Sequence, residues 1–387
     1  MPRLPRPAAA VLATICAVAG VAACSSSGGG GRPSAAGAHA ATVTITAAKG
    51  CELNATQFAA GGITFTITNK DATSVSEVEL LSGERILGEK ENVPAGLGGQ
   101  FAVKVDAGKY TVYCPGAQQE RSTITVTGKA AAVNENVAAL LKRGTADYKS
   151  YVDTQVGYLV STTAKLNTAL EGSDLKAAQK AYIAARPYYE KIEPVAESFV
   201  SGKQNLDADI DARAGDVPAS KWSGFHLIEK SLFRDKSVTG MAKWGAKLVA
   251  DVGLLQQKTK HLSYQPPDLA NGAQELLDEV AASKITGEEE RYSHIDIVDM
   301  ANNVEGAEQA FADLEPAVQK IDAELARQIS NQFAALGKVL DKYRTTSNSS
   351  GYVLYTTLND ADRRALAAAV KAVQEPLSRV AGKVASA

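Results

Sequence analysis

Cysteine, histidine and methionine are scarce: the 387 residues include 4 Cys, 4 His and 3 Met. Four cysteines are too few for a disulfide-stapled scaffold, and none has the paired C-x-x-C spacing of a zinc ribbon. Charge of one sign is also lacking. The 41 Lys and Arg against 43 Asp and Glu leave a formal net charge of −2. That is no cationic excess with which to neutralise a phosphate backbone, so nucleic acid is not an expected partner. The apolar run from Ala8 to Val21 is too short to span a bilayer as a permanent helix. No internal repeat of solenoid period is evident. What is present is ordinary globular composition, 45% hydrophobic and 22% charged, in a chain long enough for two or three domains at roughly 150 residues each.

The N-terminus reads as an address. Arg3 and Arg6 precede the apolar run, and Val21-Ala22-Ala23-Cys24 resembles a bacterial lipobox. This predicts a signal peptide over 1–23, with Cys24 lipidated as the first mature residue. The alternative is an unlipidated secretory signal with Cys24 as a bystander. Both place the mature protein outside the cytoplasm, and both leave Cys51 and Cys114 as the cysteines of the folded part. Residues 24–41, rich in Gly, Ser, Ala and Pro, read as a flexible linker.

From Thr42 the pattern becomes period two, as in Thr42-Val43-Thr44-Ile45-Thr46, Ile63-Thr64-Phe65-Thr66-Ile67 and Ser122-Thr123-Ile124-Thr125-Val126, punctuated by Gly61-Gly62, Pro94-Ala95-Gly96 and Asp106-Ala107-Gly108. The expectation is a small all-β sandwich over 42–128. From 129 to 387 the spacing turns helical, as in Asn134 to Leu170, Met241 to His261, Pro267 to Ser283, Ile295 to Leu314, Asp322 to Arg344 and Ala361 to Val384. Ser173-Asp174 offers an N-cap for a segment reaching Phe199 that Pro187 and Pro194 should kink or divide. The second domain is therefore expected to be an all-α bundle.

Chemistry concentrates in that bundle. His226 and Glu229 stand three apart, so on a helix they share a face and offer one cation an imidazole nitrogen and a carboxylate. H-x-x-E alone is more often a surface or capping pair, and it lacks the second His of H-E-x-x-H. Glu190 and Glu193 repeat the three-residue spacing, Asp207, Asp209 and Asp211 follow, and Glu288-Glu289-Glu290 add more acids. Carboxylates and an imidazole gathered from facing helices suit iron, although a solvated face is the commoner fate of a helical Glu.

Tyr189-Glu190-Lys191-Ile192-Glu193-Pro194, Leu206-Asp207, Gly224-Phe225-His226-Leu227-Ile228-Glu229-Lys230 and Gly287-Glu288-Glu289-Glu290-Arg291-Tyr292-Ser293-His294, in that order, resemble the EfeO family of imelysin-like iron-uptake proteins. The preceding β-domain resembles that family's cupredoxin-like module. The resemblance implies a multidomain chain, cupredoxin-like sandwich then imelysin-like bundle. It implies metal ligation by His226, Glu229, Glu190, Glu193, Asp207 and one of Glu288 or Glu289, with Glu289 favoured. Pro187 departs from the family pattern, where no proline is expected before the tyrosine-glutamate motif.

Between Thr42 and Gly128 there is neither His nor Met, which excludes a blue-copper site by composition. The family resemblance implies a second metal site, for copper or iron, at Cys51, Glu77, Glu89 and Cys114. In an oxidising compartment the two cysteines are candidates first for a disulfide, if their Cα atoms lie within about 7 Å, then for a metal-binding or redox-active dithiol, and last for unpaired thiols. The implied function is a non-enzymatic, lipid-anchored component of an EfeUOB-type transporter that captures Fe²⁺ or Fe³⁺ in the helical domain and delivers it to a membrane permease, the β-domain binding or oxidising a metal ion on the way, with a haem peroxidase in the same system. The alternatives are an H-x-x-E metallopeptidase and a polysaccharide-binding lipoprotein that uses a bridging cation.

Overall fold

A computed structural model describes residues 39–83, 85–91, 93–130, 135–201 and 204–387. The expected signal segment, Cys24 and most of the linker lie outside the described residues.

The N-terminal part is a two-sheet sandwich built by the period-two runs. Its strands are β1 (Ala40–Thr46), β2 (Gly50–Leu53), β3 (Gln57–Ala59), β4 (Gly61–Asn69), β5 (Val78–Ser82), β6 (Arg85–Lys90), β7 (Gly98–Val105), β8 (Gly108–Tyr113) and β9 (Arg121–Thr127). One sheet has the order β2-β1-β4-β7 and the other β3-β9-β8-β5-β6. Val43 and Ile45 of β1 and Ile63, Phe65 and Ile67 of β4 point inward, because alternate side chains of a strand share one face. Phe65 lies opposite Phe101 in the β4–β7 register, and their rings stack at 5.0 Å.

The bundle begins with α1 (Glu135–Glu171), a 37-residue helix packed against four later ones. Asp174 caps α2 (Leu175–Glu190), its side chain accepting from the Ala177 N–H at 3.0 Å. Pro187 sits within α2, and the chain breaks after Glu190, restarting as α3 (Glu193–Glu197) with Pro194 in its first turn. Proline has no N–H to give to the carbonyl four residues back. That carbonyl is Glu190's, and it accepts instead from Asn303 Nδ2 at 2.9 Å. Glu190 and Glu193, expected on one helical face, therefore belong to different helices.

A two-strand hairpin, β10 (Val200–Ser201) with β11 (Gln204–Asn205), leads to α4 (Leu206–Asp211). α5 (Phe225–Glu229) runs into a single π turn over Lys230–Arg234, followed by α6 (Ala242–Lys260), α7 (Pro266–Ala282), α8 (Asp296–Ile321), α9 (Ala323–Leu340), α10 (Asp360–Leu377) and α11 (Val380–Ala385). α8 outruns the expected Leu314, passing through Pro316. The single segment expected from Ala361 to Val384 is broken at Ser378-Arg379. Among the described residues no helix is long and apolar enough to cross a membrane.

Sandwich and bundle pack directly on each other. Asn271 Nδ2 of α7 donates to the Ala102 carbonyl of β7 at 2.8 Å, Lys104 Nζ reaches the Ala387 carbonyl at 3.2 Å, and Lys90 pairs with Asp278. A Cβ on Gly62 would stand 2.5 Å from the Ala385 carbonyl oxygen, so glycine is what lets β4 approach α11 this closely. This contact turns one side of the sandwich, including β6, toward α7 and the acids of the bundle.

Candidate metal centre

The imidazole of His226 is the organising group. It rides on α5, a helix of little more than one turn that starts at Gly224, with φ +81°. A Cβ at Gly224 would lie 2.0 Å from the Ile210 carbonyl oxygen, so only glycine lets α5 lie against the end of α4. That contact brings His226 beside Asp211. His226 is 2% exposed. Its Nε2 lies 3.3 Å from Glu289 Oε1 and 3.5 Å from Asp211 Oδ1, yet forms no aligned hydrogen bond. Asp211, His226 and Glu289 each offer a donor atom within 4.8 Å of the other two.

Glu229 stands on the other side of the ring. Its Oε1 accepts from the N–H groups of Tyr292 and Ser293, both at 2.7 Å, while Oε2 lies 3.4 Å from His226 Nδ1. A carboxylate at Nδ1 is the arrangement that orients a metal-binding histidine, leaving Nε2 to face an ion once the ring gives up a proton. The sequence paired Glu229 with His226 as ligands to one ion. The structure sets it behind the imidazole and puts Asp211 and Glu289 in front.

The remaining expected residues are distributed around this group. Glu190 meets Glu289 and Asp299 of α8, whereas Glu193 meets Glu197 and Glu279 of α7. Asp207 accepts the hydroxyl of Tyr189 and lines a cavity of about 250 Å³. Nine carboxylates, among them Glu193, Glu197, Asp207, Asp211, Glu279 and Glu289, and a single guanidinium, Arg213, line that cavity. Glu77 and Glu91 of the β-domain form its far wall.

Two fully buried cations hold the acids together. Arg186 pairs with Glu190 and Asp211, and lies 3.1 Å from Glu290, 3.2 Å from Asp299 and 3.3 Å from Glu289. Lys284 sits 2.6 Å from Glu190, 2.7 Å from Glu193 and 3.3 Å from Glu279. The acids split accordingly. Burial raises Glu289, but Lys284, His226 and Arg213 outweigh it and hold its carboxyl well below the usual range. Asp211 is lowered too, its burial outweighed by Arg186 and His226. The donors beside His226 are thus ionised. Burial opposes charge on His226, yet Asp211 and the hydrogen-bonding carboxylates hold its imidazole well above the ordinary histidine value, so the pocket favours positive charge at that point. Away from it, burial and mutual repulsion raise Glu190, Asp207 and Glu279 to about 7, and Glu193 and Glu197 well above 4.5.

In the β-domain the four expected residues separate into two features. Cys51 and Cys114 form a disulfide with Cα atoms 6.3 Å apart, so neither serves as a thiolate ligand in this structure. Glu77 and Glu89 converge instead with Glu79, their oxygens within 4.8 Å of one another. Glu79 lies directly across the β5–β6 ladder from Glu89, an arrangement that destabilises a sheet when both are charged. Burial and Glu77 raise Glu79 to about 8.

Asp299, Glu197 and Glu279 are not among the residues expected from the sequence, while Asp211 and Glu79 stand among its clustered acids but outside the expected ligand sets. Two had a usable signal, since Asp211 is four residues from Asp207 and Glu197 four from Glu193, on shared helical faces. Nothing local marks Asp299 or Glu279, which reach the site from α8 and α7.

Hard carboxylate oxygens beside one imidazole nitrogen that forms no aligned hydrogen bond make a donor set that suits a first-row metal ion such as iron. The imelysin family model matches residues 144–380, and the cupredoxin-like domain model residues 11–126. The iron uptake system component EfeO of Escherichia coli strain K12, of E. coli O1:K1 and of Shigella flexneri is in each case 36% identical over 346 residues, covering 88% of this chain and 90% of the relative. With the imelysin model spanning more than half of the chain and these relatives aligned over most of it, the chain belongs to the EfeO family, a cupredoxin-like domain followed by an imelysin domain.

Proposed function

We propose that this protein is the extracytoplasmic iron-binding component of an EfeUOB-type uptake system, lipid-anchored through Cys24, which captures ferrous or ferric iron in the helical domain and delivers it to a membrane permease beside a haem peroxidase. The observation that carries the reading is the buried Nε2 of His226, without an aligned hydrogen bond and flanked by the ionised Asp211 and Glu289. Glu190, Glu193 and Asp207 are proposed to attract and pass the ion rather than to ligate it beside Nε2: Glu190 adjoins the group through Glu289, Glu193 sits with Glu197 and Glu279, and Asp207 accepts the Tyr189 hydroxyl at the cavity wall. Iron entering beside Nε2 displaces a proton and gains two anionic oxygens already held in place by Arg213, Arg186 and Lys284, so the ligands need little rearrangement.

The same geometry favours binding over peptide hydrolysis. A metallopeptidase of the H-x-x-E kind needs a carboxylate free to take a proton from water, and both oxygens of Glu229 are engaged, one by two backbone N–H groups and the other beside Nδ1. Among the described residues His226 is the sole imidazole in any cluster of metal donors. We read the trio Glu77, Glu79 and Glu89 as a second cation position, for copper or iron, in place of one using the cysteines. Anaerobic titration of Fe²⁺ into the lipid-free protein, compared with His226→Ala, tests the carrier reading. Stoichiometric binding lost in the variant supports it, and equal binding by the two proteins rejects His226 as a ligand.

A further inference from the structure

We propose that Glu89, Glu197 and Glu275 form a third cation site, at the seam between the sandwich and the bundle, that joins the β-domain trio to the acids of the helical domain. The three residues come from β6, α3 and α7, and each offers a carboxylate oxygen within 4.8 Å of the other two. Glu89 is 7% exposed, and among the described residues no donor or cation pairs with it. The charges that bear most on it are all acids: Glu275, Glu91, Glu79 and Glu77. The neighbouring cations are engaged elsewhere, Arg85 with Asp268 at 3.5 Å and Lys90 with Asp278. Burying a carboxylate against carboxylates is costly unless a cation or proton offsets it.

A cavity of about 50 Å³ opens on the side of Glu89 and Glu275, and Glu197 lines the larger acidic cavity of about 250 Å³, so the trio stands between two spaces that can hold water. An all-oxygen set of this kind takes a hard di- or trivalent metal ion. Its position gives it a role. Glu89 also belongs to the trio with Glu77 and Glu79, and Glu197 also belongs to the trio with Glu193 and Glu279. Two shared carboxylates thus connect three groups, so an ion can change site by exchanging one ligand at a time with its oxidation state unaltered.

The role as a junction rests on the iron-carrier reading, and the test separates the two. Glu275 belongs to the seam trio alone, which makes E275Q the informative variant. Full-length mature protein, E275Q and H226A are dialysed anaerobically against Fe²⁺, and bound iron is counted per chain. The expected result is that E275Q binds one ion fewer than wild type while keeping the ion that H226A loses. Metal-free E275Q should also melt no lower than wild type, because it has lost a repelling acid. E275Q binding as many ions as wild type, while H226A loses one, overturns the seam site and leaves the carrier. Wild type that binds no Fe²⁺ overturns both. An E275Q that loses the ion but also melts lower without metal overturns the seam site as well, since the carboxylate would then be making a structural contact.

Discussion

Glu229 holds His226 from behind, with Oε2 3.4 Å from Nδ1 while Oε1 takes the N–H groups of Tyr292 and Ser293. The two residues share a face of α5, and the proposed site gives them different roles. Glu229→Gln should keep iron binding and weaken it by about 10- to 100-fold, the usual cost of losing a carboxylate that orients a metal histidine. His226→Ala should weaken it further, as should Asp211→Asn. Calorimetric titration of the three variants with Fe²⁺ checks the order. If Glu229→Gln were the most damaging of the three, Glu229 would be a direct ligand.

The metal-free protein should lose stability as pH rises. Glu190 and Glu279 are raised from 4.5 to about 7, Asp207 from 3.8 to about 7 and Glu290 from 4.5 to about 8, each chiefly by burial. Between these limits the folded chain keeps protons that the unfolded chain has released. Stability therefore falls with pH between about 4 and 8, by up to ~1.4 kcal/mol per pH unit for each such proton. Urea unfolding with chelator at a series of pH values reads the slope, and saturating Fe²⁺ under anaerobic conditions should flatten it. A slope of opposite sign in the metal-free protein would mean that the acids are ionised and compensated.

Lys284→Met should leave Glu190, Glu193 and Glu279 buried without their shared ammonium. Removing one partner of a buried ionic network costs roughly 3–5 kcal/mol. Thermal unfolding with and without metal measures that loss, and bound metal should restore part of it. A metal-free variant as stable as wild type would show that the three acids are protonated and need no lysine.

Much of the fold was legible because it follows from periodicity. The Val43/Ile45 and Ile63/Phe65/Ile67 alternations gave inward faces, and Asp174 announced the start of α2. The breaks were less legible. Where the chain parts after Glu190 depends on Asn303, more than a hundred residues away, taking the carbonyl that Pro194 leaves without a donor. At the site, the neighbourhood could be read from clustered acids and a histidine, but the division of labour could not. Whether Glu229 or Asp211 faces Nε2 depends on the approach of α4 to Gly224 and on the loop that carries Tyr292. The role of Lys284 is a tertiary matter, invisible in a segment that reads as the end of a helix.

The Cys51–Cys114 disulfide closes a span of 63 residues, and opening it should lower stability by ~4 kcal/mol on loop entropy alone. Iron binding at His226 should survive, because neither cysteine belongs to that group. Chemical unfolding of the Cys51→Ala, Cys114→Ala double variant, with iron titration of the folded fraction, tests both parts. Loss of the His226-dependent ion would tie the disulfide to the site.

β6 is the last strand of its sheet, and its outer rim does not face solvent. The Ile86 N–H donates to the Ser198 carbonyl at 3.3 Å, and Arg85 forms an antiparallel bridge with Phe199. The bundle thus seals an edge that would otherwise be free to recruit strands from other molecules. The sandwich is therefore a poor candidate for independent production. A fragment cut at the end of β9 would bare a rim bounded by Ile86 and Leu87 and self-associate in solution, whereas the intact chain would stay dispersed.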